Sequence, residues 1–495
     1  MGLSLALNTA RSSILASSSQ MAVVSRNTAG ASDPTYSRKI ATLVAGGGAA
    51  RVVVQRAADS ALFYKMLETT SDTVKQQAVL EGIDKLKHTV GDSSLNQSSA
   101  ARIGALSAAL EQYANKPDDP ILARAVVARA NELVTMLNDA TATIQRTRQE
   151  ADASIAGSVA RVNDLLSQFK SVNDAVVKGT ASGIDVSDQL DTRDHLLAQL
   201  SEEMGISVVT RENNDIAIYT DSGVTLFERV PRKVEFSPTN TFNASTVGSA
   251  VIIDGVPVTG SGPMPLNSGR LVGLVQIRDQ DAVLYQQQLD EVAEALIASF
   301  AEQSKADPTL FKAGLFAQSG TIDMPPGWDD DPASQASAGL AGKITVNAGI
   351  DPAKGGVLDR LRDGGANGDP DFVENPGVPT GSNAAYSDRL YKLSQNLSSD
   401  RPFNSALGLG DKTSVKNFAA SSASWLEGNR KTVSTNVNYQ MTLLSHASEA
   451  LSNATGVNMD DETALMLQLE KSYSASAKLV SVVNEMLQTL LNAVR

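Results

Sequence analysis

The sequence predicts a mainly α-helical, elongated protein with a β-rich part, whose N- and C-terminal helices pair as a coiled coil. Heptad patterns occupy both ends of the chain, and such patterns are typical of helices that wind around one another. A helical pattern of about sixty residues in the first half predicts a long helical rod. Short alternating apolar segments near the middle predict a β-meander, and a later stretch without periodicity predicts an irregular outer insertion.

The composition restricts the classes of function. The chain has 495 residues, enough for about three or four domains, and its formal net charge of −13 argues against nucleic acid as a partner. It contains no cysteine, which excludes disulfides, thiolate zinc sites and cysteine nucleophiles. Aromatic residues make up only 4% of the chain, a fraction more typical of helical scaffolds than of enzymes with deep pockets.

Two further observations concern targeting. The longest apolar runs are far shorter than the roughly eighteen residues that a membrane helix needs, so no membrane insertion is predicted. The N-terminal stretch has no basic segment ahead of a long apolar run, so no cleaved secretory signal is predicted.

The terminal patterns are the most regular in the chain. Apolar or small residues recur there at alternating gaps of four and three residues, as on the seam of a coiled coil. The seam residues are Leu3, Leu7, Ala10, Ile14, Ser17, Met21 and Val24, and Leu469, Tyr473, Ser476, Val480, Val483, Leu487, Leu490 and Val494. Arg11 is the only charged residue between Met1 and Ser25, which favours packing among copies over a free surface helix. An ordinary pair of terminal core helices is the alternative.

We therefore predict an assembly interface on these two helices. Its residues are Leu3, Leu7, Ile14, Met21, Val24, Leu469, Tyr473, Val480, Val483, Leu487 and Leu490.

The segments after the first helix predict a loop, a strand and then helices. Residues 25–40 have no apolar period and predict a loop, and the glycines at 46–48 precede a short strand candidate, Arg51–Arg56. Residues 57–113 have a helical pattern with a predicted break near Gly91–Ser94.

The rod helix has a clear predicted start. Asp119 suits the N-cap and Pro120 suits the first helical turn. Apolar stripes then continue to about Lys178, and a further helix is predicted at 186–204. The acidic pairs at Asp118/Asp119 and Asp460/Asp461 are interpreted as helix caps.

The remaining predictions divide the chain into domains. Alternating segments after Gly205 and a hairpin at Asp254-Gly255 predict β structure, helix resumes after Gly269, and helices are predicted again at about 386–395 and 414–451. The predicted domains are a terminal coiled-coil domain (1–45 with 455–495), a helical rod domain (46–205, 263–306 and 384–454), a β-rich subdomain (206–262) and a variable outer region (307–383).

No catalytic, cofactor-binding or metal site is predicted. The three histidines, His88, His195 and His446, are far apart in sequence and belong to no metal or catalytic motif. The oxygen-rich segment from Asp363 to Asp371 lacks the spacing and the closing glutamate of an EF-hand. The chain is therefore not predicted to be an enzyme and is expected to need no cofactor.

Several motifs resemble those of a known family. The motif residues are Asn27, Tyr36 and Arg38 after the first helix, Leu190, Asp191, Arg193 and Asp194 in the middle, and Gly456 and Asn458 before the last helix. With Asp119-Pro120, they resemble the first hook–filament junction proteins of the bacterial flagellum, the hook-associated protein 1 family.

The resemblance implies a structural role and a set of partners. The terminal helices are expected to form the inner layer of a tube, in which a homo-oligomeric ring of subunits joins the hook to the filament. Expected partners are the hook protein, the second hook–filament junction protein and a cytoplasmic export chaperone. The expected location is extracellular, in the flagellum, after export without a cleaved signal peptide.

Two alternatives remain at this stage. The chain could be another flagellar axial protein, namely the second junction protein, the hook protein or a flagellin, because these share terminal heptads. It could also be a secreted adhesin that displays its irregular region on a helical stalk.

Overall fold

Helices dominate the part of the chain that the structure describes. The structure is a computed structural model, and it describes residues 2–46, 49–89, 98–329, 336–378 and 383–493. The α-helices of these residues are α1 (Gly2–Gly30), α2 (Ser60–Lys87), α3 (Ser99–Asn115), α4 (Pro120–Ala181), α5 (Ser187–Glu203), α6 (Arg270–Gln276), α7 (Ala282–Ser299), α8 (Asp359–Asp363), α9 (Asp388–Ser398), α10 (Val415–Thr455) and α11 (Met459–Ala493).

The strands are short and pair in small antiparallel sheets. They are β1 (Lys39–Gly46), β2 (Ala49–Arg56), β3 (Ile206–Thr210), β4 (Ile216–Thr220), β5 (Thr225–Phe227), β6 (Val234–Glu235), β7 (Ile252–Ile253), β8 (Val256–Pro257), β9 (Glu302–Gln303), β10 (Phe311–Lys312), β11 (Phe316–Gln318), β12 (Ile344–Val346), β13 (Arg401–Pro402) and β14 (Lys412–Thr413). The three-stranded sheets are β3-β4-β5 and β6-β7-β8, and the other strands form pairs. The mainly helical fold with a β-rich part is thus confirmed.

The long helix α4 is the backbone of the rod. It has 62 residues, which corresponds to a length of roughly 90 Å at 1.5 Å per residue. It begins as predicted, since Asp119 Oδ1 accepts a hydrogen bond from Ile121 N at 2.8 Å and Pro120 occupies the first turn. One face of α4 is buried along its length, and α3, α5, α6 and α7 pack against it.

Helices from distant parts of the sequence complete the rod. Helix α10 lies antiparallel along α2, as two ion pairs show: Lys87 with Glu427 at 3.5 Å and Arg430 with Asp84 at 3.9 Å. The rod therefore contains helices from before and after the β-rich segment.

The junction between α6 and α7 differs from the single helix that the sequence predicts after Gly269. Residues Ile277–Asp281 form a π-helical turn between the two α-helices. The buried guanidinium of Arg278 in this turn pairs with buried Asp152 on α4 at 2.6 Å. A π-turn places one extra residue in the helix, and here it points a charged side chain into the rod.

The β-rich segment contains the predicted meander and hairpin. Strands β3, β4 and β5 follow one another, and the β3–β4 connection has Asn213 and Asn214 at positive φ (56° and 59°). Asp254 and Gly255 connect β7 to β8, also with positive φ (50° and 83°). These conformations belong to the tight hairpin turns that asparagine, aspartate and glycine favour.

The predicted outer region contains more regular structure than its sequence suggests. Strands β11 and β12 pair within it, and Asp363 ends the short helix α8. Asp363 is bound by Arg362 at 2.7 and 3.0 Å and by the Nδ2 of Asn375 at 2.7 Å. These internal partners occupy the carboxylate oxygens of Asp363, at the start of the oxygen-rich segment. In the part of the chain that the structure describes, no group of three or more acidic, histidine or cysteine side chains could hold a metal ion.

The predicted loop at 25–40 is partly wrong. Helix α1 continues to Gly30, and Lys39 already begins strand β1, which pairs with β2 along eight residues. Helix and strand extend into this stretch because Asn27 on α1 hydrogen-bonds both backbone groups of Lys39. The glycines at 47–48 and the break predicted near Gly91–Ser94 lie outside the described residues.

Candidate functional site

The terminal helices α1 and α11 pack against each other as an antiparallel pair. The hydroxyl oxygens of Ser13 and Ser476 are 2.9 Å apart, and Asn27 contacts Glu462 at 3.0 Å. Residue numbers rise along one helix as they fall along the other. The predicted pairing of the chain ends is thus confirmed.

The predicted interface residues occupy this seam to different degrees. Val24, Leu469 and Val483 are buried, and the half-buried members are Leu7, Ile14, Met21, Val480 and Leu487. Tyr473 and Leu490 were predicted in the same seam, but they are 39% and 51% exposed. The side chain of Leu3 lies outside the described residues. Most of the predicted seam is therefore covered within the single chain.

Polar side chains from four elements meet where the C-terminal end of α1 lies beside the N-terminal end of α11. We call this group the clasp, and its members are Asn27, Tyr36, Arg38, Lys39, Arg56, Asp191, Asp194 and Glu462. It joins α1, the loop and hairpin that follow it, α5 of the rod and the first turns of α11.

Asn27 is the centre of the clasp and is almost completely buried. Its Nδ2 donates to the carbonyl of Lys39 at 2.8 Å and to Glu462 Oε2 at 3.0 Å. Its Oδ1 accepts from the backbone N–H of Lys39 at 2.8 Å and from the Tyr36 hydroxyl at 2.9 Å. All four hydrogen-bonding positions of the amide are thus used, which fixes where the chain leaves α1.

Glu462 connects the same point to the last helix. Its buried carboxylate accepts from Arg38 Nε at 2.7 Å through the other oxygen, Oε1. The backbone N–H of Arg38 also donates to the carbonyl of Thr455 at 2.8 Å, at the end of α10. Two contacts therefore attach the loop after α1, one to the start of α11 and one to the end of α10.

A second set of contacts attaches the hairpin to the rod. The fully buried ammonium group of Lys39 pairs with Asp191 on α5 and donates to the carbonyl of Ser187 at 3.3 Å. Arg56, at the other end of the hairpin, contacts Asp194 at 2.6 Å and Asp191 at 3.3 Å. Lys39 and Arg56 face each other across the ladder, so both strands are held by one turn of α5.

Burial affects the acid–base properties of the clasp. It raises the pKa of Asp194 above the usual aspartate range, although the neighbouring Arg56 opposes that shift. Burial also raises the pKa of Tyr36 to about 12, so its hydroxyl keeps the proton that it donates to Asn27. Asp191, Asp194 and Glu462 each contact a cation. These ion pairs fix the relative positions of the elements that the clasp joins.

The other motif residues have separate roles. Leu190 is half-buried on α5, whereas buried Arg193 donates through Nη1 to Asn173 Oδ1 at 3.2 Å and to the carbonyl of Asn214. Arg193 therefore holds the β3–β4 connection and does not take part in the clasp. Its Nε has no hydrogen-bond partner among the described residues, and burial lowers its pKa to about 10.

Gly456 and Asn458 shape the turn between α10 and α11. A Cβ at Gly456 would lie 2.5 Å from the carbonyl oxygen of Ser452, so a side chain does not fit there. Asn458 Oδ1 accepts from the backbone N–H groups of Asp460 and Asp461 at 3.0 and 3.4 Å. Asn458 is therefore the cap of α11. The interpretation of Asp460/Asp461 as the cap is wrong, because both lie in the first turn, where their charges favour the helix dipole.

Sequence reasoning missed three clasp residues. Lys39 and Arg56 are the charged ends of two strands that are rich in apolar residues, and that pattern could have indicated them. Glu462 belongs to the stretch after Gly456, but its burial depends on α1, which the local sequence does not reveal.

The clasp borders a crevice between the loop after α1 and the rod. The crevice has a volume of about 1670 Å³ and is lined by the Tyr36 loop, strand β2, the starts of α2 and α5, and the end of α10. Its walls include Tyr36, Phe63 and His195. Among the described residues, no helix is long and apolar enough to cross a membrane.

Two family models match parts of the chain, and these parts contain three of the clasp residues, Asp191, Asp194 and Glu462. The model described as the helical domain of flagellar hook-associated protein FlgK matches residues 80–315, which include α5. The chain is similar to the flagellar hook-associated protein 1 family. The model of the C-terminal part of the flagellar basal body rod FlgEFG proteins matches residues 448–493, which include Glu462 and all of α11.

Individual proteins with that name are also similar to this chain. The flagellar hook-associated protein 1 of Bacillus subtilis is 24% identical, and the match covers 98% of this chain and 97% of that protein. The protein of that name from Escherichia coli is 23% identical over 61% of this chain and 57% of its own length. The matched region thus spans little more than half of the E. coli relative. The flagellar hook junction protein FlgK from Burkholderia pseudomallei has a solved structure with a TM-score of 0.41 and 18% identity, over 52% of this chain and 47% of that one.

Proposed function

We propose that this protein is a structural subunit of the bacterial flagellum that forms the junction between hook and filament. The antiparallel pair of α1 and α11 carries the proposal, because the clasp joins it to a long rod while part of its apolar surface stays exposed. An assembly module held at a defined angle to a rigid body suits a tube built from many copies. The match to the helical-domain model and the names of the similar proteins support the same role.

The proposed partners follow from the position of such a junction. A ring of copies contacts the hook protein on one side and the second hook–filament junction protein on the other, and a cytoplasmic export chaperone binds the chain before export. The proposed location is the extracellular part of the flagellum, reached without a cleaved signal peptide. The predicted domains keep their proposed roles, with assembly at the termini and the 307–383 region on the outside.

Deletion of the gene tests this function. We expect cells that carry hooks without filaments and release flagellin into the medium, with filaments restored by the full chain on a plasmid. Electron microscopy of the cell surface and immunoblots of the medium measure both outcomes. Normal filaments in the deletion strain would contradict the proposal, and loss of the hooks would favour a hook subunit instead.

A further inference from the structure

A short turn of the outer region is inserted between two helices of the rod. We call residues 336–342 the docking turn, and within it Leu340 and Ala341 are almost completely buried. They pack between α4 and α7. A Cβ atom at Gly342 would lie only 2.8 Å from the side chain of Thr141 on α4, so the turn fits closely against that helix. The docking turn is therefore a point at which the outer region is attached to the rod.

Three acidic side chains within little more than one turn of α7 are buried. They are Asp290, Glu291 and Glu294, and their exposed fractions are 2%, 8% and 8%. Asp290 accepts hydrogen bonds from the backbone N–H groups of Gly339 and Ala341 in the docking turn, each at 2.8 Å. Glu291 accepts one from a third backbone N–H group of the turn at 3.4 Å. Two of the three carboxylates therefore hold the docking turn by hydrogen bonds.

The third carboxyl group, that of Glu294, lies in a different environment. Its Oε2 has no hydrogen-bond partner among the described residues. The charged groups that act on it are the carboxylates of Glu291 and Asp290 on α7, the guanidinium of Arg401 on β13 and the carboxylate of Asp329 in the outer region. Three carboxyl groups thus oppose one guanidinium, and an ionised Glu294 would add a further buried negative charge without a donor to stabilise it.

This environment favours the neutral form of Glu294 while the turn is docked. Burial, together with the nearby Glu291 carboxylate, raises the pKa of Glu294 from 4.5 to about 8, and Arg401 opposes the shift. Burial raises the pKa of Asp290 only to about 6, because hydrogen bonds from the docking turn and from Gln286 stabilise its ionised form. At neutral pH Asp290 is thus ionised and holds the docking turn, whereas Glu294 keeps its proton.

We propose that docking of the turn takes up one proton at Glu294, so that the turn detaches more readily from α7 as the medium becomes more alkaline. In the detached state water reaches the carboxyl group, and its pKa returns to about 4.5. Because the docked state then binds more protons than the detached state, docking weakens progressively as the pH rises from about 4.5 to about 8. The contact lies within one subunit, so this inference does not depend on the proposed function.

Hydrogen exchange of the docking turn in the full chain tests this proton linkage. Glu294→Gln keeps the shape of the side chain and removes its charge. At pH 8.5 the amides of the docking turn are expected to exchange about tenfold or more faster in the wild type than in Glu294→Gln, whereas at pH 5 the two chains should differ much less. Mass spectrometry of peptides that cover 336–342 measures the rates, and comparing the two chains at one pH cancels the intrinsic pH dependence of exchange.

Two further variants separate the titration of Glu294 from the hydrogen bonds that hold the turn. Asp290→Asn removes an acceptor for the N–H groups of Gly339 and Ala341, because an amide nitrogen cannot accept. This variant is expected to exchange faster than the wild type in the docking turn at both pH values. Glu449→Gln changes an exposed carboxylate on α10 and is expected to exchange at the wild-type rate at each pH.

Three results would overturn the inference. The first is equal exchange of the docking turn in the wild type and in Glu294→Gln at pH 8.5. The second is an acceleration of the same size in α4, because the whole protein would then be opening instead of the docking turn. The third is unchanged exchange in Asp290→Asn, because the hydrogen bonds to Asp290 would then not hold the turn.

Discussion

Asn27 on the first helix donates a hydrogen bond to Glu462 on the last helix at 3.0 Å, although 435 residues separate them in the chain. Both side chains are almost fully buried, and each has further partners in the clasp. A buried amide and carboxylate that satisfy one another fix the register of the two helices, because a shift by one residue would leave both without partners.

Asn27→Ala is expected to destabilise the protein by about 1–3 kcal/mol, since it leaves Glu462 and the backbone of Lys39 short of buried hydrogen bonds. Thermal unfolding and hydrogen exchange in α1 and α11 measure the effect. Asn8→Ala, at an exposed position of the same helix, is the control and should change little. Equal effects of the two substitutions would contradict the central role of Asn27.

Asp191→Asn is expected to cost more, about 3–5 kcal/mol, because it leaves the buried ammonium of Lys39 without its main charge partner. Lys39→Met in the same chain should recover part of the loss, because it removes the unpaired charge. A double-mutant cycle from denaturant unfolding gives the coupling energy. Additive effects of the two substitutions would show that the contact contributes nothing of its own.

The unfolding free energy is expected to depend on pH through Glu294. Burial raises its pKa from 4.5 to about 8, with a further increase from the nearby carboxylate of Glu291. A carboxyl whose folded pKa is raised stabilises the fold below its unfolded pKa, and that contribution is lost as the pH rises towards 8. Glu294→Gln should therefore stabilise the protein at pH 8.5 by an amount on the order of 1 kcal/mol and have less effect at pH 5.

Denaturant unfolding at the two pH values measures this dependence. Glu449→Gln, which alters an exposed carboxylate on α10, should have little effect at either pH. The same difference between wild type and Glu294→Gln at pH 5 and pH 8.5 would rule out the titration of Glu294 as its source.

Val480→Asp is expected to separate the terminal helices while the rod stays folded. The residue is half-buried in the seam, and a carboxylate there lacks a partner, at a cost of about 1–3 kcal/mol. Limited proteolysis should then cut within α1 and α11 and spare α4, and the cells should lack filaments. Ser481→Asp, at the adjacent exposed position, is the control, and protection of α1 in Val480→Asp would contradict the prediction.

The elements that the sequence predicted well depend on local signals. Asp119 and Pro120 predicted the start of α4 because capping and proline geometry act within one helical turn. The alternating gaps at the termini likewise predicted a seam, since apolar periodicity is a property of the helix itself.

The features that were missed depend on contacts between distant residues. Lys39 lies 152 positions from Asp191, so no sequence window contains both partners. The antiparallel direction of the terminal pair was also not predictable, because heptad spacing is the same in both directions.

The clasp lies beside the C-terminal end of α4, so the rod is attached to the terminal helix pair near one of its ends. Arg26 on α1 contacts Asp185, just beyond that end, at 3.4 Å, and α4 extends away from this point. A rotation of the rod by about 5° relative to the terminal helices would move its far end by roughly 8 Å. The few buried hydrogen bonds of the clasp would therefore determine how far the rod can tilt relative to the terminal helices.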